Sequence, residues 1–136
     1  VFQTMRILRL SYPEAEQMFR RMVFNVLATN CDDHAKNLSF RLKQGGKWEL
    51  APAYDVCYSY DPDNRWVNQQ TLSINGKHKH IGREDLMTLA RANNIKNGEK
   101  IVDEINAIVK NWPDFAGQVK VNKDLLRTIQ ENLHTL

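Results

Sequence analysis

The sequence is poor in cysteine and has no long apolar run. It contains two cysteines, Cys31 and Cys57, among 136 residues, so a network of disulfide bonds is ruled out and at most one bridge could form. No stretch approaches the roughly 20 apolar residues that a membrane-spanning helix needs, and the N-terminus lacks the pattern of a signal peptide. These absences predict a soluble, cytoplasmic protein without a membrane partner.

Glycine and net charge are also scarce. The sequence has six glycines, of which Gly45 is the first, so no glycine-rich loop of the kind that wraps phosphates precedes that residue. Nineteen Lys and Arg residues against sixteen Asp and Glu residues leave a formal net charge of +3. Because the basic residues are spread along the whole sequence, the composition predicts no direct binding to nucleic acid.

The apolar content is sufficient for one globular domain. Hydrophobic residues make up 42% of the sequence and aromatic residues 9%, which predicts a single domain over residues 1–136 with its own core. The sequence opens at Val1, in a segment where Phe2, Met5 and Leu8 already have helical spacing. We therefore expect the chain to be a piece of a longer protein.

Helical periodicity dominates the sequence. From Pro13 onward apolar residues recur with the i, i+3, i+4, i+7 spacing of an amphipathic helix, which ends near Thr29 and for which Ser11 is a candidate cap. Three more helices are predicted after residue 82. Asn122 is the expected cap of the last one, and Pro113 should end or kink the one before it.

A short hairpin interrupts the helices near the start. Apolar and polar residues alternate over residues 38–42, a turn is predicted at Gly45 and Gly46, and a second strand follows at residues 48–50. Residues 71–74 could form one more short strand. The fold class predicted is therefore mainly α, an α+β domain with a small β-hairpin.

Three polar residues occur in the order that phosphoryl transfer from a nucleotide requires. Asp32 and Asn37 lie five residues apart in a polar loop, the hairpin follows, and Asp55 comes after it. Such transfer is accelerated mainly by positioning the reactants and neutralising charge, and protein kinases use an Asp-x-x-x-x-Asn loop followed by a metal-binding Asp. The order predicts a carboxylate base and oxygen ligands for Mg²⁺.

A family resemblance rests on longer runs of sequence around these residues. The runs are FNVL at residues 24–27, NCDDHAKN at residues 30–37 and LAPAYDV at residues 50–56. Together they resemble the C-terminal region of HipA-like serine/threonine kinases, which are bacterial toxin kinases. The resemblance is dense from about residue 19 to residue 56 and looser through the later helices, and it implies a helical, kinase-like C-terminal lobe.

The resemblance implies a role for each polar residue of the site. Asp32 is the expected catalytic base, and Asn37 and Asp55 are the expected Mg²⁺ ligands. Lys36 is expected to neutralise charge on the transferred phosphate. For the side of the site that holds the nucleotide, the resemblance implies His34 and Tyr54.

Three residues of this region, His34, Tyr54 and Asp33, also have structural interpretations. His34 is expected to brace the loop through hydrogen bonds rather than to transfer a proton, since Asp32 already has that task. Tyr54 belongs to an aromatic cluster that could line a nucleotide or peptide groove, although packing is an alternative for it. Asp33 is expected to face solvent or to cap the loop.

The same resemblance implies cofactors and partners. It implies Mg²⁺, ATP as the co-substrate, a protein substrate and an antitoxin-like DNA-binding partner. It also implies that the family's N-terminal lobe, with the loop and lysine that contact the phosphates, is absent from this sequence. A non-catalytic module that binds an antitoxin-like partner is the alternative, and a small-molecule phosphotransferase is a third possibility.

Simpler explanations exist for several of these residues. Asp32, Asp33 and Asn37 could be ordinary turn residues, because Asp and Asn favour turns by bonding to their own backbone. His78 and His80 alternate along the chain and suggest a metal site, yet no cysteine or carboxylate lies near them in sequence. A solvated hairpin end is the expected explanation for the two histidines.

The isolated chain is predicted to lack useful kinase activity and to bind Mg-ATP weakly, because the parts that contact the nucleotide phosphates are expected in the N-terminal lobe. A phosphotransfer assay on the chain measures this directly. Turnover comparable to that of an intact kinase would contradict the prediction.

Overall fold

The computed structural model describes all of residues 1–136 and is mainly helical, with one two-stranded antiparallel sheet. The mainly α, α+β fold predicted from the sequence is therefore confirmed. The elements in chain order are α1 (Phe2–Ile7), α2 (Tyr12–Leu27), β1 (Phe40–Leu42), β2 (Trp48–Leu50), α3 (Arg83–Ala92), α4 (Gly98–Lys110), α5 (Trp112–Gln118) and α6 (Lys123–Asn132).

Helix α2 begins at a well-formed cap. The Ser11 N–H and hydroxyl groups both donate to Glu14 Oε2, at 2.8 and 2.6 Å, and Pro13 occupies the first turn, where its missing N–H costs nothing. These contacts confirm the predicted start of the helix and the role of Ser11.

The core lies where α2 and α3 pack against α4. Burial of one large apolar side chain contributes roughly 1.5–3 kcal/mol, so this helical core, rather than the short hairpin, carries most of the stability. The most deeply buried large side chains are Phe19, Met18, Leu27, Ile74, Leu86, Ile101, Val23 and Val102.

The hairpin pairs β1 with β2 over three residues, with Phe40 opposite Leu50 and Leu42 opposite Trp48. Gly45 and Gly46 have φ angles of +92° and +80° in its turn, a region that glycine adopts at little cost. A two-stranded ribbon of this length is marginal by itself. Contacts between the hairpin and α2 are therefore needed to fix the position of the hairpin.

The C-terminal half is helical as predicted, but it contains four helices after residue 82 rather than three, because α5 was not expected. Helix α4 ends at Lys110, and Pro113 lies in the first turn of the next helix, α5, so the predicted break at the proline is confirmed. The Asn122 side chain accepts hydrogen bonds from the N–H groups of Asp124 and Leu125, at 2.8 and 3.4 Å. Asn122 is therefore the cap of α6, as predicted.

Two expectations from the sequence need correction or completion. Residues 71–74 form no strand: only an isolated bridge joins Ile74 to Lys77. Cys31 is buried and Cys57 is exposed, and both are free, so the single possible disulfide is not formed. None of the helices is long and apolar enough to cross a bilayer.

Asp85 connects the N-terminus of α3 to the turn before it. Its side chain is 7% exposed and accepts hydrogen bonds from Asn75 Nδ2, Lys77 Nζ and the Gly82 N–H group, each at 2.9 Å. The hydrogen bonds from Asn75 and then from Lys77 and Gly82 lower the pKa of Asp85 from 3.8 to about 2. The ionised form is thus the one that the fold stabilises.

We predict that Asp85 makes the free energy of unfolding pH-dependent in acid. Because the pKa of Asp85 is lower in the folded state, its ionised side chain contributes its full stabilising free energy above pH 3.8. That contribution is lost as the pH falls towards about 2. Urea unfolding of the parent chain and of Asp85→Asn between pH 2 and pH 7 measures this, and the two curves should converge at the acid end.

Asp103→Asn is the matched control, because Asp103 forms an exposed ion pair with Arg83. Its unfolding free energy should follow that of the parent chain at every pH. A constant gap between Asp85→Asn and the parent chain across the pH range would contradict the assignment.

Candidate active site

The polar loop over residues 30–37 begins where α2 ends. Thr29 has a φ of +53°, a left-handed conformation that turns the chain away from the helix. The Cys31 N–H group donates to the Ser59 carbonyl at 2.9 Å, and the Ser59 N–H group donates to the Thr29 carbonyl at 3.2 Å. The start of the loop is therefore paired with the segment that follows Asp55.

The end of the loop is a short 3-10 helix, Ala35–Asn37. Asn37 Nδ2 donates to the backbone carbonyl of Asp32 at 2.9 Å, which fixes the direction of the amide group. Asn37 Oδ1 has no hydrogen-bond partner in the chain. Mg²⁺ binds oxygen ligands, so Asn37 Oδ1 is the atom of this side chain that a metal site would use.

Asp32, His34 and Lys36 project from the loop in different surroundings. The Asp32 side chain is 47% exposed and its Oδ1 atom lies 3.7 Å from His34 Nε2, too far for a hydrogen bond. His34 Nδ1 is buried without a partner. The predicted bracing by the His34 ring is therefore wrong: its carbonyl, which accepts from the Asn37 N–H group at 2.9 Å, stabilises the loop instead.

Asp33 differs sharply from its neighbour Asp32. It is buried, and its Oδ1 atom accepts hydrogen bonds from the N–H groups of Thr71 and Leu72, at 2.8 and 3.1 Å. Burial raises the pKa of Asp33, and the two backbone hydrogen bonds partly oppose that shift. Both expectations for Asp33 are therefore wrong: it neither faces solvent nor caps its own loop, and instead connects the loop to residues 71–72.

Contacts from α2 hold the chain as it leaves the hairpin. Glu14 Oε1 accepts from the Leu50 N–H group at 2.9 Å, and an Arg21 Nη2–H group donates to the Ala51 carbonyl at 2.8 Å. Further along, the Tyr54 hydroxyl donates to the Lys36 carbonyl at 2.8 Å. Asp55 follows with an exposed side chain and a φ of +53°.

A cavity of about 350 Å³ lies between α2, α4 and these two segments. Of the residues that the sequence singled out, it brings together Asn37, Tyr54 and Asp55, whereas Asp32, His34 and Lys36 do not line it. The other lining residues are Gln17, Arg20, Arg21, Phe24, Asn25, Asn30, Asp33, Leu38, Ala53, Val56, Ile105 and Ile108.

Two arginines of α2 differ in how their charge is balanced at this cavity. Arg20 forms an ion pair with Glu104 of α4 at 2.8 Å. Arg21 has no acidic partner, and burial lowers its pKa, although a guanidinium stays protonated in proteins. The cavity wall therefore carries one positive charge without an acidic partner, and Asp33 and Asp55 line the same cavity.

The donor set in the cavity suits a Mg²⁺ ion shared with a nucleotide. No group of three or more His, Cys, Asp or Glu side chains is placed to hold a metal by itself. A Mg²⁺ ion at a nucleotide site needs only one or two protein oxygen ligands, because phosphate oxygens and water fill the remaining positions. The Asn37 amide oxygen and the exposed Asp55 carboxylate fit that requirement.

A second cavity, of about 450 Å³, contains His78 and His80 together with His134. His78 Nδ1 lies 2.9 Å from the Gln70 carbonyl, so this ring is already engaged with the backbone. Cys31 also lines the cavity, and burial raises its pKa to about 11, which leaves its thiol protonated and unreactive.

Comparison with known proteins identifies the family of the chain. A helical lobe with a polar loop, a hairpin and a following carboxylate is typical of the C-terminal lobe of kinases. The chain matches the HipA-like C-terminal domain over residues 1–112. The chain therefore belongs to the family of HipA-like C-terminal domains, and so to the HipA kinase family.

One curated relative is a Haemophilus influenzae protein named "Putative kinase". It is 27% identical over 113 residues, which cover 83% of this chain and 30% of the relative. The chain thus spans less than a third of the length of that protein. No solved structure gave a significant match.

Two residues that organise the site, Glu14 and Arg21, were given no role from the sequence. Glu14 and Arg21 lie seven residues apart on α2, which is the spacing of residues on one helix face. That spacing was the available signal that both side chains contact the same segment of the chain. The buried environment of Asp33 had no signal in the sequence, because the partners of its carboxylate are backbone groups 38 and 39 residues away.

We predict that Asp33→Ala lowers the free energy of unfolding by about 1–3 kcal/mol, because it leaves two N–H groups without their acceptor. Asp33→Asn should cost less, since its amide oxygen can accept the same bonds. Because burial raises the pKa of Asp33, the parent chain should lose stability relative to Asp33→Asn as the pH rises through that pKa.

Urea unfolding at several pH values measures both effects. Asp63→Ala, at an exposed turn position, is the control and should change stability little. Equal effects of Asp33→Ala and Asp63→Ala would show that the buried hydrogen bonds do not matter.

Proposed function

We propose that this chain is the metal-binding and catalytic part of an ATP- and Mg²⁺-dependent serine/threonine kinase. The observation that carries the proposal is that Asn37 and Asp55, which lie on opposite sides of the hairpin in sequence, line the same cavity. Two ordinary turn residues would have no reason to meet there. The family membership supports kinase chemistry for this arrangement.

Asn37 and Asp55 would hold Mg²⁺ together with the phosphate oxygens of ATP. When bound, the Mg²⁺ ion offsets negative charge on the phosphates and orients the transferred group. Asn37 is prepared for this role because its nitrogen is bound to the Asp32 carbonyl. Asp55 contributes a full negative charge, which a hard cation favours.

Asp32 would orient the serine or threonine hydroxyl of a protein substrate and accept its proton. The side chain is 47% exposed, so an acceptor can approach it from solvent. Lys36 lies in the same loop, with an exposed side chain and no acidic partner, and would offset charge on the transferred phosphate. His34 and Tyr54 would lie towards the nucleotide.

The chain would act as the C-terminal lobe of a longer protein. The relative that it matches is more than three times as long as the matching region, which leaves room for a lobe that covers the nucleotide phosphates. We further propose that the whole protein is a cytoplasmic toxin kinase controlled by an antitoxin-like DNA-binding partner, as the family resemblance implies.

A second candidate is a binding module without catalysis. It is favoured by one observation: Asp32 does not line the cavity, whereas the apolar and partly exposed side chains of Tyr54, Val56 and Ile108 do. Such a rim could hold a partner protein without any metal. The two functions differ in whether the polar residues of the site are needed.

The test compares substitutions in the full-length protein that contains this chain, with transfer of phosphate from ATP to a protein hydroxyl as the readout. Asp32→Asn should lower the rate by about 100-fold or more, which is the usual contribution of a general base. Asp55→Asn should raise the Mg²⁺ concentration required for half-maximal rate.

Asp63→Asn makes the same chemical change at an exposed turn and should leave the rate unaltered. An unchanged rate in Asp32→Asn would remove this residue from the role of base. If neither Asp32→Asn nor Asp55→Asn had an effect, the binding module would be the better explanation.

A further inference from the structure

The stretch over residues 52–57, which contains Asp55, has little structure to hold it. No backbone hydrogen bond involves any of these residues, and all six side chains are exposed. Asp55 itself has a left-handed φ of +53°, a conformation that an aspartate adopts in a minority of cases. Something other than regular structure must therefore keep Asp55 in place.

The ends of this stretch are fixed, but its middle is not. At one end Arg21 donates to the Ala51 carbonyl, and at the other Ser59 is paired with Thr29 and Cys31. Between these ends the hydrogen bond from the Tyr54 hydroxyl to the Lys36 carbonyl, at 2.8 Å, is the only one made by residues 52–57.

We propose that Tyr54 is a positioning residue that sets the separation between the two metal ligands, an inference that rests on the proposed function. Tyr54 immediately precedes Asp55, and its bonding partner Lys36 immediately precedes Asn37. One hydrogen bond thus connects the two ligand-bearing segments directly, at a point one residue away from each ligand.

The physical reason is the geometry that Mg²⁺ demands. The ion requires oxygen ligands at about 2.0–2.1 Å in near-octahedral directions, so Asn37 and Asp55 must present their oxygens together. Without the Tyr54 hydroxyl, the stretch around Asp55 samples a range of distances from Asn37, and only part of that range binds the ion. The apparent affinity for the ion is then the intrinsic affinity multiplied by the fraction of time that the stretch spends in the binding geometry.

Tyr54→Phe is the direct test, because it removes the hydroxyl and keeps the ring. The chain is titrated with Mn²⁺, a paramagnetic substitute for Mg²⁺, and the broadening of the amide NMR signals of residues 32–37 and 53–57 gives the dissociation constant. We expect Mn²⁺ binding to weaken about three- to tenfold, the factor that loss of one net hydrogen bond allows.

Tyr12→Phe is the matched control. Tyr12 is 41% exposed and Tyr54 is 42% exposed, and the Tyr12 hydroxyl also makes hydrogen bonds, to Glu16 and from the Lys96 N–H group. Both variants should lower the melting temperature slightly. Only Tyr54→Phe should change the Mn²⁺ dissociation constant, a difference that a merely structural role would not produce.

Asp55→Asn separates failure of this inference from failure of the proposed function. If Asp55→Asn weakens Mn²⁺ binding strongly and Tyr54→Phe leaves it equal to the parent chain, the positioning role is overturned while the metal site stands. If Asp55→Asn also leaves binding equal to the parent chain, the metal assignment fails and the role of Tyr54 fails with it.

Discussion

The pairing of the residues after α2 with Ser59 is the contact on which the candidate site depends. It places the start of the polar loop beside the segment that follows Asp55, at the end of a helix that is packed firmly against α4. The same helix end is held from the other side, because the Thr29 hydroxyl donates to the Asn132 carbonyl at 2.7 Å and the His134 N–H group donates to the Leu27 carbonyl at 3.0 Å. The loop thus starts from a rigid point, although the loop itself has little regular structure.

Adjacent acidic residues in this loop serve different purposes because their surroundings differ. Asp33 is buried and bound to two backbone N–H groups, so it is committed to structure. Asp32 is about half exposed and has no hydrogen-bond donor on its carboxylate, so it is available to a substrate. Neighbours in sequence thus differ because only Asp33 meets the backbone of residues 71–72. A single buried carboxylate therefore fixes the position of the exposed one.

Features that depend on neighbouring residues were predictable. The apolar repeat of α2, the hairpin around Gly45 and Gly46, and the Asn122 cap follow from local rules of spacing, turn conformation and hydrogen bonding. The strand expected at residues 71–74 was wrong, because the N–H groups of Thr71 and Leu72 donate to Asp33 and the backbone of Ile74 pairs with Lys77. The Thr71 hydroxyl also donates to the Cys31 carbonyl. Such competition between distant partners leaves no mark on the local pattern.

The sequence by itself determined the helices other than α5, the hairpin and the order of Asp32, Asn37 and Asp55, since each depends on the chemistry of residues near one another in the chain. Only the tertiary structure decided that Asn37 and Asp55 share a cavity, that Asp33 is buried, and that Arg21 and Tyr54 hold the chain before Asp55. These outcomes depend on hydrogen bonds across long stretches of sequence. The local pattern carries no signal of them, because their donors and acceptors lie 18 to 39 residues apart in the chain.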